Sequence, residues 1–157
     1  MIDLAGPRRQ FFTFRLAQYL CGIDVLAVRE ILRHQPMTRI PLAPVMVKGL
    51  INLRGQIVTA IDLRRRLALA DRDPAELPMN VVIRTDDGAV SLLVDQIGDV
   101  LEVDADNYER PPETLSGVAR QLVLGVYKLK DNLLLILDTD QTVDLVEKTA
   151  SANAKAA

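Results

Sequence analysis

The side chains that most often carry out covalent or metal chemistry are scarce in this sequence of 157 residues. His34 is the only histidine and Cys21 the only cysteine, and Pro36 follows His34 where a helix is predicted to end. A Ser-His-Asp or Cys-His site would need this one histidine, and no nucleophile motif accompanies it. A single cysteine excludes an intrachain disulfide and a multi-cysteine metal site. We predict a loop or packing role for His34, a buried thiol for Cys21, and a protein that is not an enzyme and binds no metal or cofactor.

Phosphate chemistry is also poorly supported. The sequence contains neither GxxxxGK[ST] nor GxGxxG. The run Arg64-Arg65-Arg66 could contact phosphates, but 19 basic residues against 21 acidic ones give a net charge of -2. Nucleic-acid-binding domains usually carry a basic stripe, so we predict no nucleic-acid partner and a solvated strand end for the arginine run.

Composition favours an ordinary folded domain. Apolar residues make up 49% of the chain and charged residues 25%. The N-terminal sequence MIDLAGPRRQ lacks an apolar signal region, and the longest aliphatic run, Leu133–Leu137, is too short to cross a membrane. We therefore expect a cytoplasmic protein that does not insert into a membrane.

The remaining chemistry is that of recognition, and it is concentrated in residues 52–67, NLRGQIVTAIDLRRRL. Arg54 lies in a loop that ends in Gly55, directly before an apolar–polar alternating segment that predicts a strand. A loop with rigid strands on both sides holds its side chains in place, and the planar guanidinium suits carboxylates or carbonyls of a partner. The alternative is a turn residue with a solvated side chain.

Short strands account for most of the predicted elements. Asp24 is expected to cap a short helix that extends to Leu32, and Asp87-Gly88 is a good hairpin turn. Prolines exclude a long regular element between residues 35 and 45. The predicted strands cover residues 12–16, a segment near 22, and residues 57–63, 81–85, 89–94, 99–103, 122–130 and 133–138, with a last short helix near 139–147.

An internal repeat relates the two halves of the chain. VKGLINLRGQIVTAID (47–62) aligns with VLGVYKLKDNLLLILD (123–138), so that Asp62 matches Asp138 and Arg54 falls on Lys130. A second alignment places Phe14 on Ile83, and it matches Val28, Glu30, Ile31 and Leu32 with Ile97, Asp99, Val100 and Leu101. The same order in both alignments predicts two related β-lobes.

Several motifs resemble one family, the CheW adaptor proteins of bacterial chemotaxis. The resemblance runs from about Phe11 to Leu145, and NLRG followed by a strand that ends in DLR is its most specific part. Two departures, Thr59-Ala60 and Cys21, lie at positions expected to pack and not to bind. The motifs are Gly22-Ile23-Asp24, Val28-Arg29-Glu30-Ile31, Lys48-Gly49, Asn52-Leu53-Arg54-Gly55, Asp62-Leu63-Arg64 and LLVDQIGDVL (92–101).

The resemblance implies an all-β fold with short helices: two intertwined five-stranded barrels of the Src-homology-3 type, related by pseudo-duplication and sharing strands. We expect this domain at residues 10–146, a flexible arm at 1–9 and a flexible tail at 147–157. It also implies a non-catalytic scaffold that couples the cytoplasmic tip of a methyl-accepting chemoreceptor to the regulatory domain of the histidine kinase CheA. Such a protein is cytoplasmic and is recruited to receptor arrays at the membrane.

The resemblance also assigns residues. A helical receptor tip is expected to lie in an apolar groove between the lobes. Gly55, Asn52 and Asp62 are expected to be structural, and the kinase-binding residues are not indicated. The expected receptor-binding residues are Val28, Glu30, Lys48, Gly49, Arg54 and Val100, although Val28 and Val100 could equally be core.

Three alternatives remain open. The chain could serve another chemosensory pathway, such as pilus-type motility. It could be the kinase's own regulatory domain, although Met1 so near the first strand favours a freestanding protein. It could also be a β-barrel enzyme or ligand binder, which a ligand-dependent thermal shift against nucleotides and metabolites would reveal.

Overall fold

The structure is a computed structural model, and it describes residues 8–144. Short strands dominate it, as predicted. Between them lie two short α-helices, two 3-10 turns at Val25–Ala27 and Ala105–Asn107, and a helical segment at residues 139–144. The strands are β1 (Arg8–Leu16), β2 (Tyr19–Asp24), β3 (Val28–Leu32), β4 (Val47–Leu53), β5 (Gln56–Asp62), β6 (Met79–Thr85), β7 (Gly88–Val94), β8 (Gln96–Asp104), β9 (Tyr108–Glu109), β10 (Val123–Lys128) and β11 (Leu133–Leu137); the helices are α1 (Leu63–Arg66) and α2 (Gly117–Leu122).

The strands form two sheets, which we call lobe 1 and lobe 2. Lobe 1 is five-stranded in the order β3-β6-β7-β5-β4, and lobe 2 is six-stranded in the order β8-β1-β2-β11-β10-β9. The N-terminal hairpin β1–β2 therefore pairs with strands from the C-terminal half, and the chain passes between the lobes. This confirms the predicted all-β, intertwined, two-lobed fold, with one more strand in lobe 2 than expected.

The hydrogen-bond registers confirm the internal repeat. In lobe 1, Val47 pairs with Ile61, and the register shifts before Gly49 pairs with Ala60. In lobe 2 the aligned residues do the same: Val123 pairs with Leu137, and the register shifts before Gly125 pairs with Ile136. The β3–β6 and β1–β8 pairings also match, because Val28 opposite Ile83 corresponds to Ile97 opposite Phe14.

A single apolar core joins the lobes. It contains side chains from both sheets, including Phe14 and Ile23 of lobe 2 with Ile83 and Leu92 of lobe 1. Each lobe also has a smaller core of its own. Because the main core needs both sheets, each lobe would expose a large apolar face without the other.

The predicted helix that begins after Asp24 is wrong beyond its first turn. Asp24 does cap a turn, since its Oδ1 accepts a hydrogen bond from the Leu26 amide at 2.9 Å, but that turn is the 3-10 helix Val25–Ala27. Val28–Leu32 is a strand that pairs with β6. Its apolar residues fit a helical period and a strand period about equally well over so short a length, and the β6 partner decides between them.

The prediction that Arg64-Arg65-Arg66 is a solvated strand end is also wrong. The side chain of Asp62 caps α1, which turns the run back onto the protein. Arg66 is buried and donates hydrogen bonds to the carbonyls of Thr142 and Gln141, both at 2.8 Å. Its burial lowers the pKa of its guanidinium below the ordinary value.

Other boundaries differ from the expectation in smaller ways. β1 begins at Arg8, inside the segment expected to be a flexible arm. The strand expected at 122–130 is shorter, because α2 occupies the chain up to Leu122. The last predicted helix is present at residues 139–144; its continuation, the expected tail and residues 1–7 lie outside the described residues.

Candidate functional site

Arg54 lies at the tip of a tight two-residue turn. The last pair of the β4–β5 hairpin is Leu53 with Gln56, so Arg54 and Gly55 alone connect the strands. Both have positive φ angles, 51° and 89°, as in the turns that match the twist of a hairpin. The side chain of Asn52 accepts a hydrogen bond from the Gly55 amide at 2.9 Å. These contacts hold the backbone under Arg54 in one conformation.

The Arg54 side chain connects opposite edges of lobe 1. Its Nη2 donates a hydrogen bond to Glu30 Oε2 at 2.6 Å, with Arg54 65% exposed and Glu30 20% exposed. Glu30 lies on β3 and Arg54 follows β4, and these are the two edge strands of the sheet. Arg29 Nη1 reaches Gln56 Oε1 at 2.7 Å, across the same gap. The sheet is therefore curled into a barrel, and its closure presents a guanidinium to solvent.

Val28 and Val100 lie on β3 and β8, which occupy equivalent edges of the two lobes. Val28 is half-buried against the shared core, as is Ile97, its counterpart on β8. Val100 is 50% exposed, and its counterpart Ile31 is also exposed. Each edge strand thus presents one aliphatic side chain to the core and another to solvent.

Lys48 and Gly49 lie apart from this group, at the opposite end of β4. Lys48 and Arg54 are six positions apart, which corresponds to about 20 Å along a strand. Gly49 is buried, and a Cβ atom there would stand 2.6 Å from the carbonyl oxygen of Thr38. The glycine allows the segment at Thr38 to pair with Leu50. The expected receptor-binding residues of lobe 1 therefore occupy two separate places, and Val100 lies on lobe 2.

A mostly buried polar network, which the sequence did not predict, is centred on Asp95. Arg64 Nη2 lies 2.5 Å from Asp95 Oδ2, and Arg72 Nη2 lies 3.1 Å from Asp95 Oδ1. The Ala17 amide donates a hydrogen bond to the same carboxylate at 2.8 Å. Burial works to raise the pKa of Asp95, but the hydrogen bonds from Arg64, Ala17 and Arg72 together lower it below the ordinary value.

This network joins the lobes. Arg64 and Arg72 follow β5 of lobe 1, whereas Ala17 belongs to the β1–β2 turn of lobe 2. Asp62, which caps α1, lies 3.5 Å from Arg72 and so extends the network. The sequence signal for this network is Asp95 itself, a carboxylate directly after the apolar strand β7. The sequence does not reveal which arginines reach it.

The residues most often used in chemistry take no part in a site. His34 lies exposed in the loop after β3, as predicted. Cys21 is buried, also as predicted, and its burial, together with the charge of Asp95, raises the pKa of the thiol to about 12. Among residues 8–144, no group of three or more His, Cys, Asp or Glu side chains could hold a metal ion. In the same part of the chain, no helix is long and apolar enough to cross a membrane.

The fold and the exposed turn define a class of protein: a double-lobed, intertwined β-barrel module with an arginine at a hairpin tip. Comparison with family models identifies the particular family. Residues 10–147 match the model of the CheW-like domain, and the chain belongs to this family.

Individual relatives agree with this assignment. The chemotaxis protein CheW of Treponema pallidum is 30% identical over 148 residues, which cover 92% of this chain and 87% of that protein. The chemotaxis protein CheW of Klebsiella aerogenes is 32% identical over 146 residues, covering 92% of this chain and 88% of that protein. The crystal structure of the scaffolding protein TtCheW from Thermoanaerobacter tengcongensis superposes with a TM-score of 0.75 at 28% identity, covering 85% of this chain and 90% of that one. The chain is therefore a chemotaxis adaptor of the CheW type.

Proposed function

We propose that this protein couples the cytoplasmic tips of methyl-accepting chemoreceptors to the regulatory domain of the histidine kinase CheA. It does so as a scaffold without catalytic activity, in the cytoplasm at membrane receptor arrays. It needs no cofactor and no nucleic acid. Its place in the CheW-like family, among relatives named as chemotaxis proteins, supports this role.

The observation that carries the proposal is the exposed guanidinium of Arg54 on a rigid turn beside β3. Its hydrogen bond to Glu30 orients the side chain but leaves most of it in solvent. An ion pair this exposed stabilises a fold by at most about 1 kcal/mol. An oriented arginine is, however, a favourable anchor for carboxylates or backbone carbonyls of a partner helix. We assign Arg54, Glu30, Val28 and Val100 to the receptor-binding surface.

The experiment is the substitution Arg54→Ala. We expect a change in unfolding free energy of less than about 0.5 kcal/mol, because the side chain is on the surface. We expect receptor binding to weaken about thirtyfold, since losing an anchor at an interface commonly costs about 2 kcal/mol. Sedimentation with receptor-containing membranes and receptor-stimulated kinase activity measure the loss, and binding to isolated kinase should change little.

Lys130→Ala is the matched control, because Lys130 aligns with Arg54 in the β10–β11 turn and is also exposed. Arg54→Lys keeps the charge but removes the planar fork, so its receptor affinity should fall between those of wild type and Arg54→Ala. If Arg54→Ala binds the receptor as tightly as wild type does, or if the variant unfolds, the turn has only a structural role.

A further inference from the structure

The loop between β3 and β4 displays a second apolar surface. Residues 39–45, RIPLAPV, form an irregular loop at one end of lobe 1. Leu42 is 99% exposed, Val45 67% and Ile40 37%. These three aliphatic side chains, close together in the chain, are absent from the buried cores, and clustered exposure of this kind marks interaction surfaces.

Both ends of this loop are fixed to the barrel. On one side, Thr38 and Leu50 exchange two backbone hydrogen bonds of 2.9 and 2.8 Å. On the other side, the Met46 carbonyl accepts a hydrogen bond from the Asp62 amide at 2.7 Å. Arg65 Nη1 donates to the Val45 carbonyl at 3.1 Å. The apolar side chains are therefore presented from a firm base.

Leu42 is also unfavourable for the loop itself. Its φ angle is 62°, in the left-handed region that is unfavourable for a leucine and readily adopted by a glycine. Backbone conformations of this kind are concentrated at functional sites. Full exposure and an unfavourable φ are two independent features, and neither helps the protein to fold.

Cations lie beside the apolar tip. Arg39, Lys48 and Arg65 line a cleft of about 420 Å³ together with the loop. Arg65 is paired with Asp71 at 3.1 Å, whereas Arg39 and Lys48 form no salt bridge with any residue between 8 and 144. A partner that covers the tip therefore meets positive charge at its margin, and acidic groups on that partner are favoured.

We propose that loop 39–45 is a second docking surface, which inserts Leu42 into an apolar pocket with a carboxylate rim on another folded protein. This rests on the proposed function: a scaffold that joins two proteins needs two separable surfaces. Lys48, at the margin of this loop, lies about 20 Å along β4 from Arg54, so a partner here leaves the receptor-binding surface free. The partner of loop 39–45 is accordingly the kinase regulatory domain, and Lys48 belongs to this surface.

The test uses the full chain with two purified probes: the regulatory domain of the CheA-type kinase and the cytoplasmic tip of a chemoreceptor from the same genome. Leu42→Gly removes the side chain and suits the φ angle, which offsets the greater entropy of glycine in the unfolded chain, so its melting temperature should be close to that of wild type. Its affinity for the kinase domain should fall at least about tenfold, while its affinity for the receptor tip is unchanged. Arg39→Glu should mainly slow association with the kinase domain and reduce its dependence on salt.

Leu124→Ala is the control, because Leu124 is an exposed leucine on β10 of lobe 2, at the position that aligns with Lys48, and alanine removes the side chain without weakening the strand as a glycine would. It should bind both probes as wild type does. If wild type binds neither probe, the proposed function fails. If wild type binds both and Leu42→Gly does so equally well, only the loop proposal is overturned. If Leu42→Gly loses affinity for the receptor tip and keeps its affinity for the kinase domain, the choice of partner is overturned.

Discussion

The two lobes share one arrangement of strands but use different contacts to hold it. In lobe 1, Ser91 donates a hydrogen bond to buried Asn80 at 2.8 Å, and Asn80 donates to the Arg33 carbonyl at 3.0 Å. In lobe 2 the register places Phe11 at the position of Asn80. Phe11 packs on Tyr127 with ring centroids 5.5 Å apart, and Tyr108 on Tyr127 at 5.3 Å.

The hairpin tips differ in the same way. The lobe 1 tip is a two-residue turn whose arginine is bound to the edge strand. The lobe 2 tip is a four-residue connection between Lys128 and Leu133, and within residues 8–144 its Lys130 forms no ion pair with Asp99, the counterpart of Glu30. Beside it lies an open, mostly apolar cleft of about 700 Å³. Repeated registers therefore preserve the barrel, while the side chains at the tips are free to diverge.

The largest effect is expected at the network that joins the lobes. Asp95→Ala leaves Arg64 mostly buried without its carboxylate and Arg72 with Asp62 alone, and breaking such a pair costs about 3–5 kcal/mol. Urea unfolding measures the loss, with Asp99→Ala as the control on an exposed aspartate.

The pH dependence follows from the lowered pKa of Asp95. The Asp95 carboxylate contributes its full stabilisation when the pH is above 3.8, the ordinary pKa of an aspartate. This stabilisation is lost as the pH falls through the lower pKa of Asp95 in the folded protein. Wild type should therefore lose more stability than Asp95→Ala over that acidic range. Equal pH profiles would show that the carboxylate is not stabilised as we describe.

A difference between lobes is expected for the two repeated aspartates. Asp62 caps α1 and lies against Arg72, so Asp62→Ala should cost about 3 kcal/mol. Asp138 accepts a hydrogen bond from the Gln141 amide at 3.1 Å and is only half-buried, so Asp138→Ala should cost about 1 kcal/mol, as for a helix cap. Equal losses in thermal or urea unfolding would contradict the conclusion that Asp62, but not Asp138, belongs to the polar network.

A smaller difference is expected for the two repeated glycines. A Cβ at Gly49 meets the backbone carbonyl of Thr38, whereas a Cβ at Gly125 meets the ring of Tyr108. Backbone moves less readily than a partly exposed ring, so Gly49→Ala should cost about 2–3 kcal/mol and Gly125→Ala about 1 kcal/mol. Urea unfolding of both variants measures the two losses of stability. A larger loss for Gly125→Ala would show that the Tyr108 ring is the more rigid neighbour.

The smallest effect is expected at Cys21. With a pKa of about 12, the buried thiol should not react with a maleimide at pH 8 in the native state, and it should react once the protein is unfolded. The raised pKa also means that stability declines as the pH rises above the ordinary value of 9.0, because the unfolded thiol ionises first. Fast labelling of the folded protein would place the thiol at the surface.

Local pattern was sufficient for much of the fold. Alternating apolar residues identified most strands, and the match of 47–62 with 123–138 anticipated both the duplicated lobes and the same pairings in each. This succeeds because strand burial has a period of two and because a shared bulge preserves the register. The NLRG turn was equally readable, since a positive φ angle at Gly55 is a local requirement.

Contacts between distant segments were beyond local pattern. Val28–Leu32 is a strand because β6 pairs with it, and Arg66 is buried because residues 141 and 142 supply carbonyls for it. Neither partner is near in sequence. Lys48 and Arg54 are close in the chain but lie at opposite ends of β4, because a strand is extended. Composition and spacing describe what a segment favours, whereas burial and charge pairing depend on which segments meet when both lobes close around one core.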